Sequence, residues 1–139
     1  MTEFSTDSSL LSLAALISQR LKPVAIYVFG SVASGRANPE SDVDLAIFTR
    51  EKITFDQSED IKELALAKWG IALDLIDFVE APPTLQAEII RNGKKLIVQN
   101  ENDLATLIMR ALRSYQMLNE EREPILKKRL GAEGWKRLF

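Results

Sequence analysis

A chain of 139 residues, 46% hydrophobic and 27% charged, has the size and balance of one ordinary globular domain with a modest core. It contains no Cys and no His, which excludes disulfide frameworks, thiolate nucleophiles, thiolate or imidazole metal ligands and any histidine-based triad. Chemistry is left to carboxylates, hydroxyls, Lys, Arg, backbone amides and a hard metal ion, and a net charge of -2 argues against direct nucleic-acid binding.

No apolar run approaches the ~18 residues of a membrane span. Met1 to Ser9 contains Glu3 and Asp7 but no basic residue, so it does not read as a secretion signal. The expected compartment is the cytoplasm, with no membrane partner.

Ser8 or Ser9 caps a first predicted helix that runs to about Leu21, with Leu10, Leu11, Leu13, Leu16, Ile17 and Leu21 as its apolar face. Pro23 ends it. Val24 to Phe29 is a nearly all-apolar run that suits a strand buried on both faces. Gly30 to Ser41 is small, polar and turn-rich, and Asp42 to Phe48 alternates as a strand does. A second helix is expected from about Asp56 to Trp69, with Gly70 as its stop. Ile71 to Val79 reads as a third strand. Pro82-Pro83 opens a helix that Asn92-Gly93 closes, and Leu96 to Val98 adds a short fourth strand. From about Asn102 a long helix follows, which Pro124 is expected to break or restart. With no repeat, low-complexity segment or linker, the expected fold class is α/β: one domain with a small mixed β-sheet, helices packed on it, and a long C-terminal helix. Its catalytic core would span about 10–98 and its helical tail about 102–139.

The chemistry concentrates in Phe29-Gly30-Ser31 and Ser41-Asp42-Val43-Asp44-Leu45. Asp42 and Asp44 alternate with Val43, so both carboxylates leave one strand face roughly 6–7 Å apart. Two ionised carboxylates on a largely buried strand repel each other and lose hydration, and a divalent cation would offset that cost. Oxygen ligands of this hardness favour Mg²⁺ or Mn²⁺. In Leu73-Asp74-Leu75-Ile76-Asp77, strand parity separates Asp74 from Asp77, and Asp74 stands in mid-strand between apolar neighbours, a costly place for a charge. If the two strands are neighbours, Asp74 completes a triad with Asp42 and Asp44, while Asp77 is a structural or strand-end residue. Gly30 permits unusual dihedrals and close backbone approach, and the following amides with the Ser31 hydroxyl can hold phosphate oxygens. A phosphate-holding turn beside a carboxylate metal site describes attack on a nucleoside triphosphate.

Gly30-Ser31, ten intervening residues and Asp42-Val43-Asp44 resemble the signature of the polymerase-β-like nucleotidyltransferase superfamily. More narrowly, the Ser41 to Leu45 ending, the Leu73 to Asp77 strand and the Ala81-Pro82-Pro83 to Gly93 helix look like the minimal nucleotidyltransferase (MNT) antitoxins of the HEPN/MNT type. The resemblance spans roughly Leu10 to Val98. It implies a small mixed sheet with helices on one side and two Mg²⁺ ions held by Asp42 and Asp44. Asp74 would bind one ion and help to activate the nucleophile, with Gly30 and Ser31 on the triphosphate of ATP. It implies as well a cognate HEPN-domain ribonuclease toxin as partner, in a hetero-oligomeric complex, neutralised by transfer of AMP to a tyrosine. Larger relatives carry an additional domain for a small acceptor. This chain ends too soon to hold one, so a macromolecular acceptor is expected.

Other readings stand beside these. Gly30 to Gly35 resembles the start of a P-loop, but Arg36-Ala37-Asn38-Pro39 follows where Lys and then Ser or Thr are required. Arg36 is either a phosphate contact or an exposed loop arginine, the commoner case. Ser41 is either a substrate ligand or, more often for such a residue, a turn or cap. The stripe Leu104, Leu107, Ile108, Ala111, Leu112, Tyr115 and Leu118 is core packing in the simpler reading and a partner groove in the sharper one. Lys127-Lys128-Arg129 with Lys136-Arg137 is a solvated helix face or a contact for RNA or an acidic surface. Two other functions compete with AMP transfer to a toxin: an antitoxin that acts by binding alone, and a small-molecule nucleotidyltransferase that borrows an acceptor pocket from a partner subunit.

Overall fold

The computed structural model describes residues 6–30 and 42–136. Helix α1 (Thr6–Leu21) leads into strand β1 (Ala25–Phe29), and β2 (Val43–Phe48) into helix α2 (Phe55–Trp69). Strand β3 (Leu73–Asp77), helix α3 (Pro83–Asn92), strand β4 (Lys94–Val98) and helix α4 (Glu101–Lys136) complete the order. The four-stranded sheet runs β3-β2-β1-β4, with β1 antiparallel to both β2 and β4, and β2 parallel to β3. The parallel pair needs a crossover, which α2 supplies.

Local chemistry places the helix ends. Thr54 caps α2 with a reciprocal box: its hydroxyl accepts from the Gln57 amide, and the Gln57 side chain accepts from the Thr54 amide. Gly70 closes α2 in the left-handed region at φ 65°. Asn100 accepts from the Asp103 amide at the start of α4.

Both sheet faces are covered, whereas the family resemblance implies helices on one side only. Ile26, Val28, Val43, Leu45, Ile47 and Leu73 pack with α1 and α2. Ala25, Tyr27, Phe29, Ala46 and Phe48 pack with Phe78, Ile89, Leu104 and Ala111 from the α3 and α4 side. The reason lies in β1 and β2: their residues are apolar at almost every position, so neither face can be left to water. On the α3 and α4 side Phe48 stacks on Phe78 at 4.0 Å and tilts against Tyr27 at 4.7 Å.

Four expected boundaries move. Helix α1 starts at Thr6, so Ser8 and Ser9 lie inside its first turn rather than capping it. The third strand is shorter than Ile71 to Val79, because Ile71 bonds back to Ala65 and a 3-10 turn (Phe78–Glu80) folds Phe78 into the core. The fourth strand begins at Lys94 rather than Leu96, because β1 carries the pairing into charged residues. Helix α4 continues past Pro124 instead of breaking there. The missing amide of Pro124 leaves the Glu120 carbonyl without its helical donor, and Glu120 is exposed, so water can take that bond.

The stripe on α4 divides. Leu104 and Ala111 are buried and Leu107 and Ile108 pack beside them, as core packing predicts, while Leu112 is 44% exposed. The Lys127-Lys128-Arg129 run lies within α4. Arg137 lies outside the described residues.

Candidate active site

The site forms at one end of the two central strands, where β1 ends and β2 begins. Phe29, the last residue of β1, pairs with Asp44, and on the other side of β2 Asp44 stands in register with Asp74 of β3. Directly opposed residues of neighbouring strands lie about 5 Å apart and point the same way. Asp44 shares the face of Ala46 and Phe48, and Asp74 that of Ile76 and Phe78, on the α3 and α4 side of the sheet. The Asp74 carboxyl is a close enough neighbour to raise the Asp44 pKa.

Asp77 takes the other parity. Its Oδ2 accepts from the Ile53 amide at 2.9 Å and pegs the loop before α2 to the far end of β3. That is the structural role expected of it.

Electrostatics mark Asp44 out. Burial, then the neighbouring Asp74 through charge and hydrogen bond, then the charge of Asp42, push its pKa up to about 6. Asp44 is half-buried, whereas Asp42 and Asp74 are exposed. The exposure of Asp74 departs from the buried mid-strand position expected for it. The shorter β3 makes it the second residue of an edge strand, open to water.

Gly30 follows directly at φ 78°, a conformation that disfavours side chains. A Cβ there would overlap Asp44 Oδ2. The sequence points to this glycine as a phosphate cradle. Its second task, leaving room for the Asp44 carboxylate, arises only from tertiary pairing and has no local signal. Ser31, Arg36 and Ser41 lie outside the described residues.

The donor chemistry fits a hard cation. Asp44 and Asp74 offer carboxylate oxygens alone, and a divalent ion would offset the repulsion that raises the Asp44 pKa. Among the described residues no three acidic side chains are gathered closely enough to hold a metal ion together. Asp42, just before β2, stays in water, which lowers the repulsion among the carboxylates.

Residues 12–102 match the family described as polymerase beta, nucleotidyltransferase. The chain is 25% identical over 101 residues to the protein adenylyltransferase MntA of Shewanella oneidensis, covering 73% of this chain and 72% of that protein. Its fold is similar to that in a crystal structure of a toxin–antitoxin with AMP-PNP, at TM-score 0.74 and 22% identity, over 88% of this chain and 96% of the other. It is also similar to a chain in a structure of the tri-AMPylated Shewanella oneidensis HEPN toxin in complex with an MNT antitoxin. There the TM-score is 0.65 and the identity 21%, over 86% of this chain and 97% of that one.

Proposed function

The chain belongs to the polymerase β nucleotidyltransferase family, and on that footing we propose that it is an antitoxin that transfers AMP from ATP to a tyrosine of a cognate HEPN ribonuclease toxin. The observation that carries this reading is the in-register pair of Asp44 and Asp74 beside the left-handed Gly30. Similarity to MntA, called a protein adenylyltransferase, and to the antitoxin of an AMPylated toxin complex supports the acceptor class. The similar structure with AMP-PNP supports ATP as donor. A hetero-oligomeric complex in the cytoplasm follows from the same reading, and among the described residues no helix is long and apolar enough to cross a membrane.

Each residue then has a task. Asp42 and Asp44 would hold two Mg²⁺ ions, with Asp74 on one of them. Bound Mg²⁺ supplies charge neutralisation at the triphosphate and lowers the pKa of the attacking hydroxyl. The Gly30 amide region and Ser31 would hold the phosphates, with Arg36 and Ser41 as further candidate contacts. The acceptor oxygen attacks the α-phosphorus and forms a new P–O bond. The bond from the α-phosphorus to the bridging oxygen of the β-phosphate breaks, and its electron pair leaves with pyrophosphate. The hydroxyl proton passes to the Asp74 carboxylate and then to water. Transfer requires Asp44 ionised, so below about pH 6 cation binding has to displace its proton.

The test is mass spectrometry of the partner toxin after incubation with this protein, ATP and Mg²⁺. Addition of AMP to a toxin tyrosine, lost with Asp42→Ala plus Asp44→Ala, is the expected result. Toxin that is neutralised without gaining mass, or rescue by the double-alanine variant, would replace catalysis with binding alone.

A further inference from the structure

Strand β3, which carries Asp74, is one edge of the sheet. The Val43 amide of β2 donates to the Ala72 carbonyl, which fixes the side that each backbone group of β3 faces. Bonding sides alternate along a strand, so Ala72, Asp74 and Ile76 face β2, while Leu73, Leu75 and Asp77 turn their N–H and C=O groups to the open edge. Among the described residues no loop or further strand bonds to these outward groups.

An edge in that state invites pairing, and the other edge of the same sheet is blunted against it. Strand β4 opens with Lys94 and Lys95 and carries a β-bulge at Leu96: Ile97 pairs with Ile26, but Lys95 pairs with Tyr27. Strand β3 has no Lys, no Pro and no register shift. Its two charges are engaged elsewhere, Asp74 beside Asp44 and Asp77 on the Ile53 amide.

Helix α2 adds an apolar ledge along the same edge. On this face of the sheet α1 packs beside β4 and α2 beside β3. Ile61 and Ala65 are the buried side of α2, and Asp60 pairs with Arg20 on its α1 side. At about 100° per residue, Phe55 and Leu66 fall on the third side, away from α1 and toward the free edge. They are 76% and 60% exposed. Because α2 runs back between two parallel strands, Leu66 stands toward the start of β3, where Asp74 lies. Phe55 stands toward its end, where Asp77 holds Ile53. A lone exposed apolar side chain is ordinary, but two along an unpaired edge form a surface that an extended chain can cover.

We propose that the free edge of β3, with Phe55 and Leu66, docks an extended segment of the acceptor protein, which adds to the sheet as a further strand and carries the tyrosine to Asp74. A residue directly opposite Asp74 would lie about 5 Å from it and point to the same sheet face. Main-chain bonds to β3 supply affinity, and the ledge selects the alternate side chains. The inference rests on the nucleotidyl-transfer reading of the same site.

Its test is residue-resolved amide hydrogen exchange of the full chain, alone and with the partner toxin, beside steady-state transfer assays. The Leu75 amide should exchange about tenfold or more slowly in the complex than in the free chain. Leu66→Ser and Phe55→Ser should each raise KM for the toxin about fivefold, with kcat and the KM for ATP unchanged. Leu11→Ser, at an exposed leucine of α1, should behave as the parent does. Circular dichroism verifies that each variant is folded, which the exposure of all three side chains favours. The proposal is overturned if the toxin is AMPylated while Leu75 exchanges in the complex as it does in the free chain. Protection of Leu75 that rises with the concentration of the free chain would give the edge to a second copy and overturn it too, as would a Leu11→Ser penalty equal to that of Leu66→Ser. Toxin that gains no AMP would remove the nucleotidyl-transfer reading and this inference with it, an outcome distinct from the other three.

Discussion

Asp44→Asn should make the cation-free protein more stable while abolishing transfer. In the fold the Asp44 pKa is raised from 3.8 to about 6 by burial and by its acidic neighbours. Above that pH the ionised carboxylate is held where it is disfavoured. At 1.36 kcal/mol per unit the upper bound is about 3 kcal/mol. Solvent screening at a half-buried group beside exposed Asp42 and Asp74 reduces it to roughly 1–2 kcal/mol. Asparagine has the same shape, removes the charge and can donate to Asp74. For a domain of this size, the melting temperature in chelator at pH 7.5 should rise by about 3–8 °C.

The pH dependence has a definite sign. Between about pH 4 and 6 the folded protein binds more protons at Asp44 than the unfolded chain does, so parent stability falls as pH rises through this window. The advantage of Asp44→Asn should therefore be full above pH 6 and disappear near pH 4. Differential scanning fluorimetry across this range is the assay. A variant that melts at or below the parent at pH 7.5, or an advantage that does not change with pH, refutes the reasoning.

Transfer by the parent should fall as pH drops through about 6, and the midpoint should move to lower pH as Mg²⁺ rises, because cation and proton compete for Asp44; an unmoved midpoint would dissociate the two. Gly30→Ala should cost about 1–3 kcal/mol, from its positive φ and the overlap with Asp44 Oδ2. In an Asp44→Ala background chemical denaturation should show a smaller penalty, since only the backbone contribution is left. Asp77→Ala removes the acceptor of the Ile53 amide and should destabilise by about 1.5–3 kcal/mol, with transfer per folded molecule retained. Thr54→Ala opens the capping box of α2 and should cost about 1 kcal/mol, read from the urea midpoint.

Much of this architecture is legible in the chain because it rests on local rules. The apolar run from Val24 to Phe29 announces a strand buried on both faces, and parity alone distinguishes Asp74 from Asp77. The left-handed stop at Gly70 is likewise a local matter. Features that depend on pairing are not legible. Nothing near Gly30 reports that its missing Cβ makes room for Asp44, which lies on another strand. The period of two cannot be carried through Leu96, since a bulge changes which residues share a face. Pro124 reads as a breaker, yet α4 continues through it, with the residue one turn earlier, Glu120, exposed to water. The shift of Asp74 from mid-strand to a water-exposed strand start follows from where β3 finds its partner.

The central claim is nucleotidyl transfer through the carboxylates at the start of β2 and β3. Two labelled donors test it most directly: ATP labelled at the α-phosphate and ATP labelled at the γ-phosphate, each incubated with this protein, its partner toxin and Mg²⁺. The account predicts that α-label enters the toxin, γ-label is released as pyrophosphate, and both events vanish with Asp44→Asn. Entry of γ-label into the toxin, or α-labelling that survives the loss of Asp44, would contradict it.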